Sequence, residues 1–173
     1  CRRQRQMCIR DRSNLSNSTN SFVASPNQSN LDDLRSKWLV SYKSWQHIEM
    51  FDIGKAEEIY YKAKMNIYPV DKSWLENNIE KGTYDLEDAN NYSSQGFPAI
   101  DYLLNGIGAD DSAILNKFNL DSKHSNYLTA LVNKMVSSTN TVISDWTNYR
   151  ATFVGSTETV SYTHLRAHET KCY

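Results

Sequence analysis

Motifs that mark several large enzyme classes are missing from this sequence of 173 residues. It has no glycine-rich phosphate loop, no His-Glu-x-x-His zinc helix and no nucleophile elbow. No apolar run approaches the length needed to cross a membrane. No alternation of apolar and polar residues is long enough to predict a strand, and there is no internal repeat. These absences leave a helical protein without a recognisable catalytic motif of those classes.

Cysteine occurs only near the two ends of the chain, at Cys1, Cys8 and Cys172. Both ends are unusual, because they resemble in-frame translations of a sequencing adapter and of its complement. We therefore expect residues 1–12 and 160–173 to be adapter-derived, and residues 13–159 to be a fragment of the natural protein. No disulfide or thiol chemistry then follows from the cysteines.

Leaving out both ends changes the charge of the chain. The formal net charge of the whole sequence is −1. Residues 13–159 keep 12 basic and 18 acidic side chains, so their formal charge is −6. An acidic segment without cysteine argues against nucleic acid as a partner. Its length suffices for one hydrophobic core, and its abrupt ends mean that the lack of a signal peptide says nothing about export.

Two apolar stripes at helical spacing predict the longest helices. A helix with Asn30 as its N-cap places one set on a narrow face: Leu31, Leu34, Trp38, Tyr42, Trp45, Glu49 and Asp52. A helix from residue 121 or 122 to about residue 154 carries the other: Leu128, Leu131, Met135, Val142, Trp146, Tyr149 and Phe153. Between them, Asp71 is expected to cap a shorter helix that Gly82 ends. This pattern predicts an all-α helical bundle.

Residues 95–106, Gln-Gly-Phe-Pro-Ala-Ile-Asp-Tyr-Leu-Leu-Asn-Gly, predict a short and sharply bounded helix. Gly96 permits a turn that other residues resist, Pro98 suits the first helical position, and Gly106 can end the helix. At helical spacing Asp101 shares its face with three apolar residues, Phe97, Ile100 and Leu104. A carboxylate in such surroundings needs a partner, a cation or a proton.

Residues 96–104 resemble the signature of the imelysin-like proteins, which typically reads Gly-Phe-His-Ala-(Ile/Leu)-Glu-Tyr-Leu-Leu. The matching motif residues are Gly96, Phe97, Pro98, Asp101 and Tyr102. Pro98 stands where the family has histidine, and Asp101 stands where it has glutamate. Further matches are Trp38, Trp45, Glu49, residues 51–54, residues 68–71, Trp146 and residues 149–153. The resemblance covers about residues 15–155 and implies the amino-terminal part of a larger fold with two helical regions.

The resemblance also implies a function in the cell envelope. Relatives of this kind are exported to the periplasm or outer membrane, often as lipoproteins, and are related to iron uptake. A metal ion or envelope uptake components would then be the partners, and a lipid anchor outside this segment would provide any membrane attachment. Peptidase M75 activity is an alternative, but Pro98 offers no metal ligand, so we name no catalytic residue. A purely structural helical binding module is a third interpretation.

One interpretation of the acids is an oxygen-rich metal site formed by Glu49, Asp52 and Asp101. Glu49 and Asp52 would oppose the dipole at the end of their predicted helix unless something positive lay near them. Three converging carboxylates would suit iron or another hard cation, such as Fe³⁺, Mn²⁺ or Ca²⁺. The alternative is that Glu49 and Asp52 are solvated and that Asp101 pairs with a basic side chain or with backbone donors.

Only two histidines lie in residues 13–159, His47 and His124. His47 projects away from the stripe that carries Trp38 and Trp45, and His124 lies in a polar first turn. Neither has a second ligand at a metal-binding spacing. We therefore expect both histidines on the solvated surface, and the sequence does not support a zinc site built from histidine.

Overall fold

The computed structural model describes residues 2–155, which fold into eight α-helices and one 3-10 helix without any strand. The helices are α1 (Arg2–Ala24), α2 (Gln28–Gln46), α3 (Lys55–Glu58), α4 (Tyr61–Met65), α5 (Lys72–Lys81), α6 (Gly96–Asn105), α7 (Asp111–Leu120) and α8 (Lys123–Gly155). The 3-10 helix Ala89–Ser94 lies directly before α6. The prediction of an all-α bundle is confirmed.

One hydrophobic core joins the long helices. Helices α1 and α2 are joined by the short connection 25–27 and pack along each other, α1 also packs on α8, and α6 contacts α2, α4 and α8. The buried side chains between them include Leu15, Phe22, Leu31, Leu34, Leu103, Leu128 and Leu131. No helix within residues 2–155 is both long and apolar enough to span a bilayer.

Helix α2 differs from its prediction at both ends. Asn27, not Asn30, is the N-cap, because the side chain of Asn27 accepts a hydrogen bond from the Asn30 backbone N–H at 3.0 Å. The helix ends at Gln46, before Glu49 and Asp52. The two acids therefore do not extend the stripe of Trp38 and Trp45, and they are kept out of a last turn whose dipole they would oppose.

The shorter and the later helices follow their sequence signals more closely. The side chain of Asp71 accepts from the Trp74 backbone N–H at 2.9 Å, and Gly82 ends α5 in the left-handed conformation. In α8 the predicted stripe is buried as far as Thr139, whereas Trp146 and Tyr149 are partly exposed. The rings of Trp146, Tyr149 and Phe153 instead contact one another.

Residues at the amino-terminal boundary take part in the packing. Asp11 is buried, and its carboxylate accepts a hydrogen bond from the Ser44 hydroxyl at 2.6 Å. Arg12 is also buried and donates to the Asn140 side chain at 2.9 Å. The adapter origin of residues 1–12 stays a prediction, and residues 160–173 lie outside the described part of the chain.

Candidate functional site

The turn that begins α6 requires glycine at position 96. Gly96 has a φ of +77°, which side chains with a Cβ rarely adopt. A Cβ at this position would lie 2.2 Å from the carbonyl oxygen of Met65, at the end of α4. Because that contact is with backbone, no side-chain movement could relieve it. Gly96 therefore sets how closely α6 approaches α4.

An aromatic wall connects α2 to the first turn of α6. The Trp38 indole N–H donates to the carbonyl oxygen of Phe97 at 3.1 Å. The rings of Trp38 and Tyr42 are stacked, with centroids 5.3 Å apart and planes inclined by 14°. The ring of Phe97 lies 5.2 Å from that of Tyr42. These contacts orient α6, the signature helix that carries residues 96–104, against the apolar face of α2.

A groove of about 530 Å³ opens beside this wall, and we call it the signature groove. Its aromatic lining consists of Trp38, Tyr42, Tyr68, Phe97 and Tyr102. Its polar lining consists of Asn66, Lys72, Asp101 and Asn105. Pro98, Val70 and Gly106 complete it. Four of the five motif residues therefore line one concave surface, while the fifth, Gly96, shapes the turn behind it.

Asp101 is the one carboxylate among the groove-lining residues, and it is half-buried. Its Oδ1 accepts a hydrogen bond from the Asn105 side chain at 2.8 Å. Among the side chains of residues 10–155, no basic group forms an ion pair with Asp101, and the amide of Asn105 is its hydrogen-bond donor. The carboxylate thus faces the groove rather than the hydrophobic core.

Tyr102 lines the signature groove and contacts α5 through its hydroxyl group. Its hydroxyl donates to Glu76 Oε1 at 2.6 Å. Burial, together with this hydrogen bond and the negative charge of Glu76, raises the pKa of Tyr102 to about 12. The Lys72 ammonium lies over the Tyr102 ring, 5.3 Å from its centroid. Tyr102 therefore stays neutral at ordinary pH and offers its ring to a cation.

Glu49 and Asp52 lie around a different cation, Lys62. Glu49 is 3.6 Å from the Lys62 ammonium. Burial raises the pKa of Asp52, and the charge of Lys62 opposes that effect in part. Asp52 Oδ1 is buried without a hydrogen-bond partner in the described structure. Lys62 is thus the positive group that these two acids need.

The structure does not assemble the three-carboxylate site. Among the side chains that the structure describes, those of residues 10–155, no three from His, Cys, Asp and Glu lie close enough together to hold a metal ion. Glu49 and Asp52 share the neighbourhood of Lys62, whereas Asp101 lines the signature groove. Because α2 ends early, the two acids do not continue the helical face of Trp38 and Tyr42, which line the groove together with Asp101.

A comparison with protein families decides what this chain is. The family model of Imelysin, peptidase M75, matches residues 8–166. The chain belongs to the imelysin family.

Two imelysin relatives carry names connected with iron. Iron-regulated protein A from Synechococcus elongatus is 28% identical over 90 residues, which cover 52% of this chain and 24% of the relative. A crystal structure described as an iron-regulated protein A precursor from Parabacteroides distasonis aligns with a TM-score of 0.63 and 22% identity. That alignment covers 79% of this chain and 39% of the other, and at this identity it supports the fold alone. The chain thus spans well under half the length of both relatives.

This imelysin-family chain departs from the usual signature at the surface of its groove. Pro98 lines the groove at the place of the signature histidine, and its side chain provides neither a metal ligand nor a proton donor. His47 is exposed, as expected. His124 is half-buried beside the ring of Phe118, and burial lowers its pKa, so the prediction of a solvated His124 was wrong.

Sequence reasoning missed the part of the groove contributed by residues 66–72. Tyr68, Lys72 and the amide of Asn66 line it, together with Asn105 of α6. The one sequence signal for this part of the groove was that residues 68–71 also match the imelysin-like proteins. Nothing local in that stretch indicates that it faces α6. The close approach of α6 to the end of α4, directly before this stretch, depends on the turn at Gly96.

Two further groups hold α6 in place behind the groove. Arg35 donates to the carbonyl oxygen of Leu104 at 2.7 Å and also binds both carboxylate oxygens of Asp111. At the other end, the buried Tyr127 hydroxyl donates to the carbonyl oxygen of Ser94 at 2.8 Å. Both ends of the signature helix are therefore anchored by side chains from other helices.

Proposed function

We propose that this chain is part of a non-catalytic cell-envelope protein that acts in iron acquisition, and that the signature groove is its binding surface. The supporting observation is that Phe97, Pro98, Asp101 and Tyr102 line a single groove. A motif needed only for packing would point its side chains into the core. Phe97 is buried in the core, but the half-buried Pro98, Asp101 and Tyr102 border an open concavity, which is the usual form of a ligand site.

The link to iron comes from the relatives. Both the cyanobacterial and the Parabacteroides relatives are named as iron-regulated proteins. The envelope location extends what the family resemblance implies. The link to iron and the envelope location are both parts of our proposal for this chain.

The donor groups favour binding of an organic ligand over binding of a bare metal ion. Hard cations such as Fe³⁺ and Ca²⁺ take about six or more oxygen ligands, usually with several carboxylates. The groove lining has Asp101 as its carboxylate, and five of its twelve residues are aromatic. The residues present therefore do not fit a metal centre, and no metal-dependent step is assigned to them.

The iron-related part of the proposal can be tested in the source organism by deleting the complete gene. We expect slower growth when iron is limited by bipyridyl and normal growth when excess iron is restored. The complete gene carrying Asp101→Asn or Trp38→Ala should fail to rescue the defect, whereas the gene carrying Leu120→Ala should rescue it. Leu120 is a matched control because it is apolar, 84% exposed and outside the groove lining.

Two results would contradict this proposal. Normal growth of the deletion strain under iron limitation would remove the link to iron. Hydrolysis of fluorogenic casein by the purified protein with added Zn²⁺ or Co²⁺, abolished by Asp101→Asn, would replace a binding function by a peptidase function.

A further inference from the structure

The signature groove combines an aromatic lining with a carboxylate that forms no ion pair among the side chains of residues 10–155. Trp38, Tyr42, Tyr68 and Tyr102 contribute rings, and the buried Phe97 ring packs against those of Trp38 and Tyr42. Among residues 10–155, Asn105 is the one partner of the Asp101 side chain, and it is neutral. Asn105 binds Oδ1, so Oδ2 can accept another donor. A half-buried carboxylate among rings favours a cation beside it.

Lys72 shows that the groove already accommodates an alkylammonium group. Its ammonium lies 5.3 Å from the centroid of the Tyr102 ring. Among the side chains of residues 10–155, no carboxylate forms an ion pair with Lys72, and the Tyr102 ring is the group that its ammonium contacts. Lys72 is exposed and belongs to the first turn of α5. A flexible side chain at this position can leave the ring at little cost when another cation arrives.

We propose that the signature groove binds a small organic cation through an alkylammonium group, which the aromatic wall surrounds and Asp101 neutralises. This rests on the proposed function in that it takes the same groove as the binding surface. The ring faces attract the cation electrostatically, and the carboxylate adds a charged partner. Lys72 is then a competitor that occupies part of the site until the ligand displaces it.

The lining disfavours the other classes of ligand. A bare metal ion would find a single carboxylate. An anion would meet the negative charge of Asp101, and Lys72 would have to leave the Tyr102 ring to offset it. A neutral ligand would leave that carboxylate without a counter-charge. The volume of about 530 Å³ is within the usual range for a small-molecule site.

The direct test is a titration of the full chain with choline and with cadaverine, followed by tryptophan fluorescence and calorimetry. The neutral analogue of choline, 3,3-dimethylbutan-1-ol, has the same shape without the charge. We expect both cations to bind, the neutral analogue to bind at least about tenfold more weakly, and added salt to weaken binding of the cations.

Variants separate the contribution of each group. Asp101→Asn should weaken choline binding about tenfold and keep the hydrogen bond from Asn105. Lys72→Met should strengthen it roughly two- to fivefold, because the competing ammonium is removed. Leu120→Ala should leave it unchanged. Circular dichroism on heating verifies that each variant is folded before its affinity is compared.

Equal binding of choline and its neutral analogue would overturn the proposal, and so would unchanged affinity in Asp101→Asn. The absence of any binding by choline and cadaverine would also overturn it. That result would leave the proposed function standing if growth under iron limitation still depended on Asp101. Conversely, cation binding without a growth defect would preserve the ligand class and remove the link to iron.

Discussion

The indole N–H of Trp38 donates to the backbone carbonyl oxygen of Phe97 at 3.1 Å. Trp38 lies in the middle of α2, and Phe97 lies in the first turn of α6. This hydrogen bond ties the first turn of the signature helix to the aromatic wall of the groove. It also keeps the Trp38 ring in the orientation in which it stacks on Tyr42.

Trp38→Phe should test this relationship, because it keeps an aromatic ring and removes the N–H donor. We expect a loss of about 0.5–1.5 kcal/mol in the free energy of unfolding, the usual net value of one such hydrogen bond. Urea denaturation measures it. Leu39→Ala is the control, since Leu39 is 43% exposed on the next position of the same helix. An effect of Trp38→Phe no larger than that of the control would show that the hydrogen bond contributes nothing.

Gly96→Ala should be strongly destabilising. The φ of +77° and the approach of 2.2 Å to the Met65 carbonyl oxygen both oppose a Cβ. Backbone strain alone costs about 1–3 kcal/mol, and the overlap adds to it. Gly82→Ala is a matched control, because Gly82 also has a positive φ of +67° but a Cβ added there would meet no atom within 4 Å. Thermal unfolding of both variants should show a clearly larger loss for Gly96→Ala; equal losses would contradict the close contact with α4.

The Arg35–Asp111 pair should make stability depend on acid pH. The hydrogen bond from Arg35, with one from Gln28, lowers the pKa of Asp111 to about 2. A lowered pKa in the folded state means that the carboxylate stabilises the protein above its unfolded pKa of 3.8 and that this contribution disappears as pH falls toward 2. Asp111→Asn should therefore lower stability at pH 6 and have little effect near pH 2. Urea midpoints across this range measure the difference between Asp111→Asn and the wild type, and a difference that does not depend on pH would contradict the role of the Asp111 carboxylate.

His124 should lower stability as the solution becomes mildly acidic. Burial lowers its pKa below the ordinary value of 6.5, although Asp121 opposes this effect. The unfolded chain then binds a proton more readily than the folded chain, so stability is retained above pH 6.5 and decreases below it. His124→Gln should reduce this decrease between about pH 7 and 5. Thermal midpoints at several pH values test this; identical profiles for the wild type and His124→Gln would contradict it.

Much of the fold could be predicted from local signals in the sequence. The N-cap Asp71, the terminator Gly82 and the long stripe from Leu128 to Met135 all act within one helix, so spacing alone identifies them. The position of the end of α2 was not readable, because apolar and acidic residues continue at helical spacing past Gln46. That single error placed Glu49 and Asp52 on a face that they do not occupy.

The features of the candidate site likewise divide into those that the sequence predicted and those that it could not predict. The sequence identified Asp101 as the unusual carboxylate of a short helix, since helical geometry puts it beside apolar residues whatever the rest of the fold does. It could not show that Lys62 is the counter-charge of Glu49, or that Lys72 lies over Tyr102, because both contacts join segments separated along the chain.

The sequence by itself determined the class of fold, the helix that carries the family signature and the family to which its residues point. These follow from spacing, capping residues and a contiguous motif, all of which are local. Only the tertiary structure decided that the motif lines a groove with one carboxylate and an aromatic wall, and that the other two acids lie elsewhere. That outcome depends on how closely α6 approaches α2 and α4, which is governed by the packing of Gly96 and Trp38 against residues distant in the sequence.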